Sequence, residues 1–330
     1  MNTTRRSFSL AALSAAGLGA AGAPLVQAQS GAWPTRPIKI VAGGVGSVTD
    51  IRARWLAERL GGALGQPVIV ENNAAAGGNV GAAAVARSAP DGHTLLLIHQ
   101  GTAAFNPYLF ARTGYDPLTD FAPITRWGQG SLLLTVAPAV PVNSVAELVA
   151  LAKAKPGTLD FASPGVGTPP HLASELFKRA AGIDAVHVPY KGGGAMMAAL
   201  LSGQVTWAIE GLTAQLPHVR AGSLRALGVT GAQRSPSLAE VPTIAEAGVA
   251  GYEFVGWTGI AAPAETPKPV IDRIHAEIVR ISATDEARAW FASGGAEPGI
   301  LTPQAFGDFV RSENARWGRV IREAGIRMGE

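Results

Sequence analysis

The stretch from Ser163 to Glu210 most constrains the fold, because it twice sets a glycine-rich loop directly before a helix. It reads SPGVGTPPHLASELFKRAAGIDAVHVPYKGGGAMMAALLSGQVTWAIE. Gly165 and Gly167 run into Thr168-Pro169, which has the form of a helix start: Thr168 as N-cap, and Pro169 where a missing N–H removes no bond. Helical spacing places Leu172, Ala173, Leu176, Phe177 and Ala180 on one face, and Gly182 ends the helix. A short strand, Ala185 to Pro189, leads to a second glycine loop, Gly192 to Gly194. That loop opens a helix from Ala195 to Ser202, Gly203 ends it, and the strand Val205 to Ile209 follows. The first N–H groups of a helix have no internal partner, and its dipole is positive there, so such ends attract anions. The pattern predicts an anion held beside Gly165–Thr168 without any charged side chain.

The preceding chain supports an α/β class. Residues 37–98 read as β-α-β-α-β, with strands at Ile38–Val41, Val68–Val70 and Leu95–Ile98. Thr49-Asp50 are expected to cap a helix whose buried face is Ile51, Trp55, Leu56, Leu60 and Leu64. Continuous apolar strands of this kind suit a mostly parallel sheet covered by helices on both faces. Leu132 to Val136 is a further strand, and Ser144-Val145-Ala146-Glu147 is a capping box. Phe254 to Ala261 is another extended run. Helices are expected near Val270–Ile281 and from Ala305 to Ala324, the last presenting Phe306, Phe309, Val310, Trp317, Val320 and Ile321 on one side. Two α/β lobes are implied, with Leu132–Val136 and Phe254–Ala261 as paired crossings between them.

Residues 1–28 read as an export signal. Arg5-Arg6 form a twin-arginine pair, a modest apolar run spans Leu10 to Leu25, and Val26-Gln27-Ala28 is a small-residue cleavage site. General secretion with a chance Arg pair is the alternative route, and both end outside the cytoplasmic membrane; a cytosolic protein with a disordered Ala-rich tail is the competing reading. Cysteine is absent from the sequence, which excludes disulfides, thiolate metal sites and a cysteine nucleophile. Removing Arg5 and Arg6 leaves 25 basic against 24 acidic residues, with no Lys/Arg stripe, so nucleic acid is not an expected partner. The six histidines lack metal-ligand spacing, and no G-x-S-x-G or H-E-x-x-H motif occurs, so neither a metal nor a cofactor is expected and the chain is not read as an enzyme.

The phrases GTPPHLASELF, HVPYKGG and LLSGQV closely resemble the substrate-binding receptors of tripartite tricarboxylate transporters, the Bordetella uptake gene family. RPIKIV, LGQPVIVEN, APDGHTLLL, FNPYLF, YDPLTDFAPI, LRALGVT, RSPSLAEVPTIAEAG and ARWGRVIREAGI extend the resemblance over almost the whole chain after the leader. The resemblance implies a two-lobed type II periplasmic binding protein. Lobe 1 would comprise residues 29–130 plus 255–330 and lobe 2 residues 131–254, with a ligand cleft between them that closes like a hinge. It further implies a monomeric receptor for a small carboxylate that serves integral membrane transporter subunits.

Ligands of open α/β sheets bind beyond the carboxyl ends of the strands, which selects five loops. The first carries Gly43, Gly44, Val45, Ser47, Thr49 and Asp50. In the resembled family this loop usually runs aromatic-Pro-Pro-Gly-Gly-Gly-Thr-Asp. Here Gly43 stands at the aromatic position, Gly44 and Val45 replace the prolines, and Ser47 and Val48 replace glycines, a departure expected to widen the pocket or soften the loop. The second loop, Glu71 to Gly78, is as consistent with solvent as with ligand. The third holds His99, Gln100, Gly101 and Thr102; the fourth holds Ser163, Gly165, Gly167 and Thr168 with neighbouring Tyr190 and Lys191; the fifth begins at Glu210. His171 is expected to pack or hydrogen-bond, and Trp257 to line the cleft or pack in the hinge.

Two competing functions share part of this pattern. Gly44 to Thr49 follows a strand and opens a helix, much like a dinucleotide fingerprint, with Glu71 placed as a ribose-binding acid; an exported oxidoreductase would need both. Thr49 at the third glycine position weakens that reading. A receptor docking on a sensor kinase would use the same ligand residues as a transport receptor.

Overall fold

The computed structural model describes residues 33–324, so the export-signal reading of residues 1–28 lies outside the described residues. From Ile38 to His99 the chain forms β1 (Ile38–Ala42), α1 (Val48–Leu64), β2 (Val68–Asn72), α2 (Asn79–Ala86) and β3 (Thr94–His99). β1 is flanked by β2 and β3, both parallel to it. A wide turn, Gly101–Phe105, runs into the short α3 (Asn106–Leu109).

β4 (Phe121–Val136) is longer than the apolar run predicts, because it serves two sets of strands. There follow α4 (Val145–Ala154), β5 (Asp160–Ser163), α5 (Pro169–Ala181), β6 (Val186–Pro189), α6 (Gly193–Leu201), β7 (Trp207–Gly211), α7 (Leu212–Arg220) and β8 (Arg225–Val229). The chain returns through β9 (Val255–Pro263) and ends in α8 (Lys268–Ser282), α9 (Asp285–Ser293), β10 (Ala296–Glu297) and α10 (Pro303–Ala324). The short α9, absent from the sequence expectation, starts at an N-cap, Thr284, whose hydroxyl accepts from the Ala287 N–H at 3.1 Å.

The strand order is β2-β1-β3-β9-β4-β7-β5-β6, with β8 and β10 also on β4. β4 pairs antiparallel with β9 as far as Ser131 opposite Val255, then with β7 from Leu132 opposite Gly211. The sheet therefore changes partners between Ser131 and Leu132. Each side of that point holds a parallel trio, β2-β1-β3 or β7-β5-β6, joined by antiparallel β9 and β4.

Burial follows the 3.6-residue period with informative exceptions. On α1 the buried face is Trp55, Leu56, Leu60 and Leu64 as expected, but it includes Arg52 instead of Ile51. On α5, Ala181 is buried and Ala180 exposed, a shift of one position from the predicted stripe. The helix packs on Phe161 and Trp207 through Leu172, Ala173 and Phe177. α10 joins two core clusters: Phe306 and Val310 pack near Leu96 and Ile98, whereas Trp317 and Ile321 join the cluster of Phe105, Phe161 and Trp207. Among the described residues no helix is long and apolar enough to cross a membrane.

Candidate functional site

The loop after β1 is built by its own short side chains. Ser47 is the N-cap of α1, its hydroxyl accepting from the Asp50 N–H at 3.3 Å, so Thr49 and Asp50 lie inside the first turn and do not cap it. Asp50 accepts from the Gly46 N–H at 2.9 Å and from Asn72 Nδ2 at 2.8 Å, and Asn72 also donates to the Gly43 carbonyl at 2.7 Å. The Gly43 N–H donates to Thr49 Oγ1 at 3.2 Å. A Cβ on Gly43 would stand 2.4 Å from that oxygen, so the glycine is required by the Thr49 bond as well as facing the cavity.

This loop, the turn Ala74–Gly78, His99, the crossing at Gly130–Leu132, the starts of α5 and α7, and Gly256–Thr258 of β9 enclose a cavity of about 780 Å³, its open mouth included. Its residues come from both sides of the β4 partner change. Among the sequence-predicted residues, Gly43, Gly44, Ser47, Thr49, His99, Thr168 and Glu210 line it together. The rest lie elsewhere. Val45 is 61% exposed and Lys191 is also exposed. Asp50 is buried behind the loop it braces. Tyr190 packs near Met196 and Leu200. Ser163 Oγ is 2.7 Å from His187 Nε2 and accepts from the Gly165 N–H at 3.2 Å. Gln100 donates to buried Glu313 at 2.8 Å, Thr102 bonds back to the His99 carbonyl at 3.0 Å, and Gly101 and Gly167 lie backbone against backbone.

The two helix starts singled out in sequence behave differently from expectation. Thr168 is the N-cap of α5 by position, but its hydroxyl donates to the Gly165 carbonyl at 2.7 Å and its N–H donates to the same carbonyl at 3.3 Å. The next two residues, Pro169 and Pro170, have no N–H at all. The start of α6 faces the β1–α1 loop, where the Gly194 N–H donates to the Val45 carbonyl at 3.0 Å. The amide-bearing helix starts on the cavity are those of α1, through Val48 and Thr49, and of α7, through Leu212 and Thr213.

Three ionisable groups line the cavity. His99 is buried and its Nδ1 accepts from the Gly101 N–H at 3.0 Å. Burial pushes its pKa down to about 4, so the neutral ring carries its proton on Nε2, beside Gly78. Glu210, 2% exposed, accepts from the Gly211 N–H at 2.7 Å through Oε1, while buried Oε2 has no partner; burial raises its pKa to about 7. Arg52, 4% exposed, donates to Thr258 Oγ1 at 2.9 Å, and burial lowers its pKa to about 10, which leaves it protonated at neutral pH. The sequence expectation passed over Arg52. The available signal was an arginine at the i+4 position from Val48 on an otherwise apolar helix face.

Trp257 lines the cavity, and its indole N–H donates at 2.9 Å to Glu313. His171 is buried, accepts from the Gly167 N–H at 3.4 Å, and stacks on His187 with ring centroids 4.0 Å apart. Glu71 pairs with Lys39 at 2.8 Å on the exposed edge of the sheet, and Gly44 and Gly46 face Gly192–Gly194. Neither arrangement presents a dinucleotide pyrophosphate or ribose with its expected partner.

The family model of the tripartite tricarboxylate transporter family receptor matches residues 52–326. BugT of Bordetella pertussis is 38% identical over 298 residues, covering 90% of this chain and 91% of BugT. An adipate-bound protein of R. palustris superimposes with a TM-score of 0.87 at 37% identity, covering 90% of this chain and all of that one. MatC from Rhodopseudomonas palustris, with bound malate, has a TM-score of 0.84 at 30% identity, covering 88% of this chain and 100% of MatC. The periplasmic binding protein BugD aligns with a TM-score of 0.86 at 32% identity.

Proposed function

This chain belongs to the tripartite tricarboxylate transporter family of receptors, and on that premise we propose that it captures a small carboxylate in the Gly43–Ala296 cavity and delivers it to integral membrane transporter subunits. The observation that carries this reading is the cavity wall: two amide-bearing helix starts, the His99 ring and one protonated guanidinium border the same cavity. Uncharged donors hold a buried anion well when each bond is short and charge-assisted. Residues 29–130 with 255–330 then act as one lobe and residues 131–254 as the other, a division supported by the change of partners on β4 at Ser131 and Leu132. Closure of the lobes presents the occupied surface to the membrane subunits. Export to the periplasm through residues 1–28 fits the family's periplasmic receptors.

A thermal-shift screen of the purified protein against small carboxylates, amino acids, aromatic acids and NAD(P) tests the proposal. At 100 times its dissociation constant a ligand stabilises the fold by about 2.7 kcal/mol. A shift confined to one class of acids is expected; shifts with dinucleotides alone would overturn the reading.

A further inference from the structure

We infer that Arg52 reads an anionic group on the bound solute, so that the cavity selects acids with two anionic groups over matched monoacids. The inference rests on the carboxylate-receptor reading and adds to it the residue that sets selectivity.

Arg52 lies one turn along α1 from Val48, and both residues line the cavity. Room for the guanidinium comes from β4, where a Cβ on Gly128 would stand 3.0 Å from its Nη1. Phe291 covers it, with Cζ 5.9 Å from the ring centroid. A guanidinium has five N–H donors. Here the one acceptor found among the described residues is the neutral Thr258 hydroxyl, and Nε is buried without a partner. No carboxylate of a described residue lies within 4.0 Å of it. A buried cation left without a counter-ion is costly, and the cost falls when an anion with bidentate geometry arrives.

Glu210, the single acidic residue among those lining the cavity, makes no ion pair with Arg52. Its one bonded oxygen accepts from the Gly211 N–H, so it is not the counter-ion of the guanidinium. Val48 and Arg52 are four residues apart, about 6 Å along the helix axis, and the guanidinium stands off that axis against Thr258 and Gly128, so the two anion-binding groups are distinct places on the wall. A solute whose two acid groups are a few carbons apart meets both. A monoacid satisfies one and leaves the other unpaired.

Calorimetric titration of the purified protein with succinate, glutarate and adipate, each against its monoacid (butyrate, pentanoate, hexanoate), tests this. The wild type should prefer one of the diacids by at least tenfold. Arg52→Met should weaken that diacid by roughly 30-fold or more while changing monoacid affinity little, and Arg52→Lys should recover part of the preference. The unliganded melting temperature of Arg52→Met should be no lower than that of the wild type, since a buried unpaired charge is replaced by an apolar chain of similar length; a purely structural arginine would lower it. An unchanged diacid-to-monoacid ratio in both variants overturns the assignment of Arg52 and leaves the receptor reading standing. Failure of the wild type to bind any of these acids overturns the diacid assignment, and the receptor reading is then decided by the thermal-shift screen against the other acid classes.

Discussion

Gly44 and Gly192 meet backbone to backbone: a Cβ on Gly44 would fall 2.6 Å from Gly192 Cα, although the two residues lie on opposite sides of the β4 partner change. The contact continues through Gly46 and Gly193, where a Cβ on Gly193 would stand 2.7 Å from the Gly46 carbonyl oxygen. A run of glycines at both loops lets the backbones approach to hydrogen-bonding distance, sealed by the Gly194 N–H on the Val45 carbonyl at 3.0 Å.

Gly44→Ala should therefore force the β1–α1 and β6–α6 loops apart, since backbone cannot yield as a flexible side chain does. We expect a stability loss of about 1–3 kcal/mol and at least tenfold weaker binding of the cognate acid. Calorimetry on the variant checks this, and wild-type affinity would show that the loop contact is no part of the liganded state.

Glu210 should make stability fall as pH rises. Its pKa is raised from 4.5 to about 7 by burial, so the native state holds a proton that the unfolded chain has released. The contribution is complete below pH 4.5 and is lost as pH rises through 7, on the order of 3 kcal/mol. Glu210→Gln should remove that slope in urea denaturation between pH 5 and 8; a variant with the wild-type slope would assign it elsewhere.

The stacked histidines act in the opposite direction. Burial, the neighbouring ring and Lys178 depress His171 to about 3, and burial with Lys178 depresses His187 to about 4. Both are neutral in the native state, so stability is complete above pH 6.5 and is lost as pH falls toward 4. Between pH 4.5 and 6.5 this trend opposes that of Glu210, so the Glu210→Gln profile should be steeper than the wild type's and the His187 variant's shallower. Replacing His187 with Phe should cost about 1 kcal/mol for its bond to Ser163 yet shallow the acid limb. Denaturation midpoints at pH 5 and 7 report it, and an unaltered acid limb would refute the role given to this pair.

Glu313 is a buried carboxylate with three neutral donors on Oε2: Gln100 at 2.8 Å, Trp257 at 2.9 Å and Trp317 at 3.0 Å. Glu313→Ala leaves all three unsatisfied and should cost about 3–5 kcal/mol. Because Trp257 lines the cavity, ligand affinity should fall as well. A variant with lost stability and intact affinity would show that Trp257 holds its place by packing alone.

Helices α1, α5, α8 and α10 were legible in the sequence because a 3.6-residue apolar period is a local signal, joined on α5 by the terminating Gly182. The capping box at Ser144 is of the same kind; Ser144 Oγ accepts from the Glu147 N–H at 3.1 Å, and Glu147 reaches the Asn143 N–H at 2.6 Å. The short α9 and the full length of β4 were not legible, since a nine-residue helix carries little period and the first part of β4 is a strand only through its pairing with β9.

Taken alone, the sequence determined the α/β class, the order of most elements and the loops around which a site would form. Local spacing and backbone stereochemistry are enough for that. Tertiary structure decided which of those loops face the cavity and what their side chains do there. Thr168 turns its hydroxyl and N–H back into its own loop, Lys191 points to solvent, and Arg52 reaches the cavity wall against Thr258, 206 positions away. Such placements depend on which distant strands become neighbours, and burial, which shifts His99 down and Glu210 up, exists only once they have.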